Sequence, residues 1–272
     1  MHVPVQPAPA ALDPLFTALD TEIFTDRHLA NLAAGTLAAV RVPGFLSTPH
    51  CQASLAALDR LPTTGYDPRR VPTRIARFGP ALNDYRSPDG RLDAARYWPA
   101  SESAREAWHR AGFRPDPVAV ALGRIGTAWG VAVAPATIGG RPVFGGTLRE
   151  INAGALVHYD DINREFPTGV FDQDIVTQLA FNLWVAVPDA GGATTVWRHR
   201  WAPADEHHRL TYGYQTTVVE HCQRVRLIPR LGDPLLFNPA NFHAVEPNPG
   251  GCRIAFAFFL GLTTTGQLIT WS

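Results

Sequence analysis

Residues 175–201 read IVTQLAFNLWVAVPDAGGATTVWRHRW. A long run of β-branched and aromatic side chains is broken once, at PDAGG, and then resumes. Branched and aromatic side chains favour a pleated backbone, where they pack against cross-strand neighbours. The interruption reads as a hairpin turn, because Gly191 and Gly192 can take positive φ without a Cβ clash. Two strands are expected here, and the first is too apolar to be an exposed ribbon.

Working outward, short apolar runs separated by Gly, Pro, Asn and Asp continue on both sides. GTLREINAG (146–154) and ALVHYDD (155–161) lie upstream; VRLIP (225–229), DPLLFN (233–238), HAVEPN (243–248) and CRIAFAFFLGL (252–262) lie downstream. Strands at this spacing build a sandwich or barrel. The chain before residue 131 reads differently. PLFTALD (14–20) and DRHLANLAAG (26–35) are helix-like, and TLAAVRVPGFLS (36–47) is a strand stopped by Pro43 and Gly44. Ser47 is placed to cap the amphipathic run that follows. Two more helices are expected, one capped at Ser101 and one running from Pro117 to Gly130. Residues 62–100, rich in Pro, Arg, Asp and Tyr, show no clean period and are expected to wall or cover a site. The organisation expected is a single domain over 1–272, with a helical and loop flank (1–130) and a β core (131–272).

Lys plus Arg and Asp plus Glu each number 24, and every one of the 24 basic residues is arginine. With no net field and no basic run, nucleic acid and anionic membranes are excluded as expected partners. The three cysteines, Cys51, Cys222 and Cys252, are scattered and odd in number, which fits neither a disulfide framework nor a zinc knuckle and points to a reducing cytoplasm. The opening MHVPVQPAPA has neither a basic n-region nor an apolar h-region, and the apolar run 254–262 is too short to span a bilayer. No membrane association is expected.

Chemistry concentrates at LVHYDDIN (156–163). In a strand, His158 and Asp160 point to the same face, and Asp161 to the other. Far downstream stands His243. Two imidazoles and one carboxylate form the facial set that holds non-heme iron(II) and leaves coordination positions open. Arg253 follows His243 by ten residues, at the start of an apolar strand. Its planar fork suits a carboxylate, such as one end of a dicarboxylate bound to the metal. Each residue alone has a simpler explanation: a surface strand pair for His158 and Asp160, a hydrogen-bonded loop histidine for His243, a salt bridge for Arg253. The ordered combination is what distinguishes them.

The order His158-x-Asp160, LAFNLWVAV ending in PDAGG, GDPLLFN, His243 and Arg253 resembles the iron(II) and 2-oxoglutarate-dependent dioxygenases, in their prolyl-hydroxylase-like branch. VRVPGFLSTPHCQASLAAL (40–58) also resembles the strand and helix that begin such enzymes. The resemblance covers about residues 36–262. It implies a mainly β fold with flanking helices, a double-stranded β-helix (jelly-roll, cupin-like). It implies Fe(II), 2-oxoglutarate and O2 as cofactors, with His158, Asp160 and His243 as metal ligands and Arg253 on the distal carboxylate. Asn182 stands where the family often carries a polar residue near the cosubstrate. Many relatives have Ser two residues after the arginine; here that place is Ala255.

The activity implied is oxidation of a small-molecule substrate, an amino acid or secondary metabolite, coupled to conversion of 2-oxoglutarate to succinate and CO2. Hydroxylation leads, with desaturation, cyclisation or epoxidation as other outcomes and a non-catalytic metal-binding jelly-roll module as the alternative of another class. A halogenating subgroup replaces the metal carboxylate by Gly or Ala, so Asp160 disfavours halogenation. The loop after the metal strand mixes Arg164, Phe166 and Phe171 with acids and is a candidate substrate lid. His199, His207 and His208 read as parts of a solvated connection.

Overall fold

The structure, a computed structural model, describes residues 15–65 and 75–272. The sequence also offers Arg69, Arg70, Arg74, Arg77 and Arg86 as a set that could suit an anionic substrate; the first three lie outside the described residues. In chain order, β1 (Ala18–Asp20), α1 (Asp26–Ala34), β2 (Ala39–Arg41), α2 (Thr48–Leu58), β3 (Thr64–Gly65) and β4 (Ile75–Phe78) are followed by two longer helices, α3 (Ala94–Ala111) and α4 (Pro117–Trp129). Short strands β5 (Ala134–Pro135), β6 (Thr137–Ile138) and β7 (Arg141–Pro142) lead into β8 (Thr147–Ile151) and β9 (Ala155–His158). After the one-turn helix α5 (Ile162–Glu165) come β10 (Ile175–Ala186), β11 (Thr194–Arg200), β12 (Arg224–Leu227), β13 (Pro234–Phe237), β14 (Asn241–Val245), β15 (Ile254–Thr263) and β16 (Leu268–Trp271).

Two antiparallel sheets form the core. The major sheet carries the order β13-β10-β15-β8, and the minor sheet β12-β11-β14-β9. From β8 to β15 the chain passes repeatedly between sheets, which makes a double-stranded β-helix. This corrects the hairpin expected at PDAGG: β10 and β11 belong to different sheets and do not pair. Gly191 and Gly192 do take positive φ, 74° and 68°, but they carry a crossover. A local turn signal cannot distinguish these outcomes, because both reverse the chain within a few residues.

The flank extends the major sheet. β2 pairs with β13, β1 runs parallel to β2, and β4 pairs with β8. The helix-like reading of PLFTALD is therefore corrected, since Ala18–Asp20 is a strand. Its ladder to Ala39–Arg41 is reinforced by two hydrogen bonds from Arg41 to the Asp20 carboxylate, at 2.9 and 2.7 Å. α3 likewise begins earlier than expected. Asp93 caps it by accepting from the Arg96 N–H, and Ser101 lies buried in its middle. Pro99 lies inside α3, where it lacks the N–H that would bond the Ala95 carbonyl, and the helix continues past it to Ala111. α4 runs from Pro117 to a Gly130 cap as expected, with the Asp116 carboxylate accepting from Val118 and Ala119.

Alternation along β10 and β15 decides what faces what. Leu179, Phe181, Leu183 and Val185, with Phe256, Phe258 and Leu260, join Leu29, Leu32 and Ile125 of the helices in the largest apolar cluster. Each such fully buried side chain stabilises the fold by about 2 kcal/mol. On the other face stand Ala180, Ala255 and Ala257, whose small side chains leave space between the sheets. Among the described residues, no helix is long and apolar enough to cross a membrane.

Candidate functional site

His158 ends β9, and His243 sits opposite it on β14 in the same ladder rung, with ring centroids 4.2 Å apart. Residues paired across antiparallel strands present their side chains to the same face. Beyond His158 the chain leaves the strand. The Asp160 N–H donates to the Pro239 carbonyl at 2.9 Å, and the Asp160 carboxylate comes within 3.5 Å of His243 Nε2. Asp161 turns elsewhere: its carboxylate accepts from the Asn163 N–H at 3.0 Å and caps α5.

The two imidazoles are held in a defined tautomer. His158 Nδ1 lies 2.7 Å from the Leu156 carbonyl, and His243 Nδ1 lies 3.0 Å from that of Asn241. A carbonyl only accepts, so each Nδ1 carries a hydrogen, and Nε2 is the ring atom left for a metal or, on His243, for the Asp160 carboxylate. Burial, and then the neighbouring His243, push the His158 pKa down to about 4, which keeps that ring neutral. Burial would raise the Asp160 carboxyl. The hydrogen bond from His243 and the nearby imidazoles outweigh it and hold the group well below the usual carboxylate range. One donor atom from each of the three residues lies within 4.8 Å of the others. Two nitrogen donors, one anionic oxygen and no thiolate fit iron(II).

The three residues line a cavity of about 490 Å³ between the sheets. That volume lies within the usual range for small-molecule sites. Arg253 reaches the same cavity and is 3% exposed. Its Nε donates to the Gly192 carbonyl at 2.9 Å and its Nη2 to the Thr194 hydroxyl at 3.1 Å. No carboxylate among the described residues pairs with it, and burial lowers its pKa to about 10. A buried guanidinium with only neutral partners has the charge and the free donors to take an anion. Asn182, on β10 between Leu235 and Ala257, also lines the cavity. Ala255 lies packed beside Trp184 and offers no hydroxyl; Thr194 supplies one instead.

The three lid candidates lie elsewhere. Phe166 is 1% exposed in an apolar cluster with Tyr97 and Trp271, and Phe171 packs on Trp271 with centroids 5.1 Å apart. Arg164 stacks on Trp201, its guanidinium carbon 3.3 Å from the ring centroid. The segment contributes Ile162 and Glu165 to the cavity instead. A one-turn helix rotates successive side chains by about 100°, which reading the segment as a loop does not capture. From the stretch 62–100, residues 81–84 form part of the wall. Thr194, Arg149 and Tyr212 also line the cavity and carried no motif. For Thr194 the usable signal was its place at the head of an inward-facing strand. His199 pairs with Asp205 at 3.1 Å, outside the site.

A family model described as carrier-protein-independent halogenase WelO5 matches residues 120–272. The chain is 54% identical to L-gamma-glutamyl-L-propargylglycine hydroxylase of Streptantibioticus cattleyicolor over 258 residues, 94% of this chain and 96% of that protein. It is 31% identical to the leucinostatins biosynthesis cluster protein S of Purpureocillium lilacinum over 146 residues, 48% of this chain and 57% of that one. An N-substituted L-amino acid dioxygenase from Burkholderia ambifaria AMMD, solved with alpha-KG, shares the fold with a TM-score of 0.61 at 18% identity, over 91% of each chain. The chain belongs to the WelO5 family and is an iron(II) and 2-oxoglutarate-dependent oxygenase with a small-molecule substrate.

Proposed function

We propose that this oxygenase hydroxylates an unactivated carbon of a γ-glutamyl-linked amino acid or a closely similar derivative. In this reading His158, Asp160 and His243 hold iron(II), and Arg253 holds the distal carboxylate of 2-oxoglutarate. The observation that carries it is the convergence of a three-donor set and an anion-receiving arginine on one cavity of about 490 Å³. The substrate class follows the 54% identical hydroxylase.

With O2 and 2-oxoglutarate, iron(II) supplies the oxidising power that converts a substrate C–H to C–OH as 2-oxoglutarate becomes succinate and CO2. The protein's own groups do the rest. Arg253 and the Thr194 hydroxyl orient the cosubstrate, with Asn182 alongside, while the small inner side chains leave room for substrate. The Asp160 carboxylate occupies the place a halide would need, which favours hydroxylation within a family described by a halogenase. We also read residues 1–272 as one domain, because the flank donates β1 to β4 to the major sheet. Three unpaired cysteines support a reducing, cytoplasmic setting.

Incubation with iron(II), 2-oxoglutarate and a panel of γ-glutamyl amino acids should release succinate and give a product heavier by one oxygen. Loss of two hydrogens would instead indicate desaturation or ring closure. Changing groups that merely support a metal ligand costs 10–100-fold, so Asp160→Ala should lower both readouts at least about a hundredfold. Hydroxylation that survived in Asp160→Ala would overturn the ligand assignment.

A further inference from the structure

Glu165 is the acidic side chain of α5 that lines the cavity. The helix is fixed on every side. Asp161 caps its start, the Ile162 N–H donates to the Gln178 side-chain oxygen at 2.9 Å, and the Asn163 amide donates to the Ile175 carbonyl at 3.1 Å. Ile162 and Phe166 are 4% and 1% exposed, so both anchor into the core and fix the backbone that carries the half-buried Glu165 at the cavity wall. Its carboxyl makes no hydrogen bond or ion pair with any described residue. Arg86 and Arg149 act on it only through space. An acidic side chain that is half-buried on a cavity wall and has no protein partner is placed for a ligand to complete it.

The ligand's charge follows from what else the cavity takes. The cosubstrate is a dianion and has its receptor at Arg253, and the metal donor set is complete without Glu165. An anionic cosubstrate gains nothing from an acidic side chain, whereas a cation draws it into its charged form, so the complement is sought in the other occupant.

We infer that Glu165 is the receptor for a primary ammonium group of the substrate, and so selects amino-bearing molecules over their deaminated counterparts. This rests on the amino-acid-derived substrate proposed above. The inference also accounts for the state of the empty pocket. Burial, then the Asp160 and Asp161 charges, push the Glu165 carboxyl up to about 8, and an arriving cation offsets that cost.

Matched probes differing only in the amino group test it: γ-glutamyl-norvaline against glutaryl-norvaline, and norvaline against pentanoate. Binding is measured calorimetrically to protein loaded with zinc and 2-oxoglutarate, so the readout does not require turnover. Wild-type protein should bind the amino member of at least one pair about tenfold or more tightly. Glu165→Gln should lose that preference through weaker binding of the amino member alone, while zinc and 2-oxoglutarate affinities stay unchanged. Glu165→Asp, which keeps the charge on a shorter stem, should restore part of it. Equal preference in Glu165→Gln, or wild-type protein that binds no amine above its partner, overturns the inference. Amine-selective binding without succinate release or oxygen gain would leave the inference standing and sink the hydroxylase assignment instead.

Discussion

Arg253 is buried with two N–H donors on the Gly192 carbonyl and the Thr194 hydroxyl, and the rest of its fork is left for a ligand. A lysine could carry the same charge there, but not the planar fork that grips both oxygens of a carboxylate. Arg253→Lys is expected to weaken 2-oxoglutarate binding about tenfold or more while leaving metal affinity unchanged. Anaerobic titration of each into the protein checks this; equal 2-oxoglutarate affinity would mean the carboxylate sits elsewhere. Single residues were also where the sequence was most readable. A period of two separates Asp160 from Asp161, and the structure sends one toward the histidines and the other to cap α5. Glu165 was unreadable for the complementary reason. Its burial depends on where Ile162 and Phe166 anchor, a tertiary fact with no local period.

At the scale of elements, the crossover from β10 to β11 positions Arg253 as much as β15 does. Gly192 has φ +68°, and a Cβ there would lie 3.1 Å from both Arg253 Cδ and Pro188 Cγ. Gly192→Ala therefore combines backbone strain with a push on the arginine. A loss of about 1–3 kcal/mol of stability is expected, together with weaker 2-oxoglutarate binding. Gly250→Ala, with nothing within 4 Å of the added carbon, is the control and should be neutral on both counts. Thermal melting and cosubstrate titration of the two variants decide it. The strands and their order were legible because apolar runs and turn residues are local. Their assignment to two sheets was not, since a crossover and a hairpin use the same glycines. The start of α3 was missed for a related reason: a proline is a local helix-stop signal, yet α3 runs through Pro99.

The whole molecule feels the cavity through its stability. Glu165 has a folded pKa of about 8 against an ordinary 4.5, so the folded state holds a proton that the unfolded chain has released. Stability from this source is fully present below pH 4.5 and is lost as pH rises through about 8. Metal-free wild-type protein should thus lose up to about 1 kcal/mol per pH unit across that window relative to Glu165→Gln, or about 2–4 °C in Tm. His158, lowered to about 4, works in the opposite direction, but it is common to both proteins and cancels in the comparison. Melting curves at pH 5, 6.5, 8 and 9 would show the two proteins diverging; parallel curves would mean the carboxyl is solvated. The jelly-roll itself follows from apolar runs that alternate between helix-facing bulk and inward-facing alanine, a pattern written plainly in β10 and β15.

One rung of the minor sheet binds the fates of two side chains. Because His158 and His243 face each other across β9 and β14, any slip of either strand displaces both together, so selection on that ladder is selection on the pair. Asp160 hangs from a turn outside the ladder, tethered through its backbone to Pro239. A codon change there alters this carboxylate without touching sheet register. The fold thus separates a two-point mount in the sheet from a third arm on a turn. A family model that bears a halogenase's name and a 54% identical hydroxylase both match this chain, and a substitution confined to that turn is where the two outcomes are expected to part.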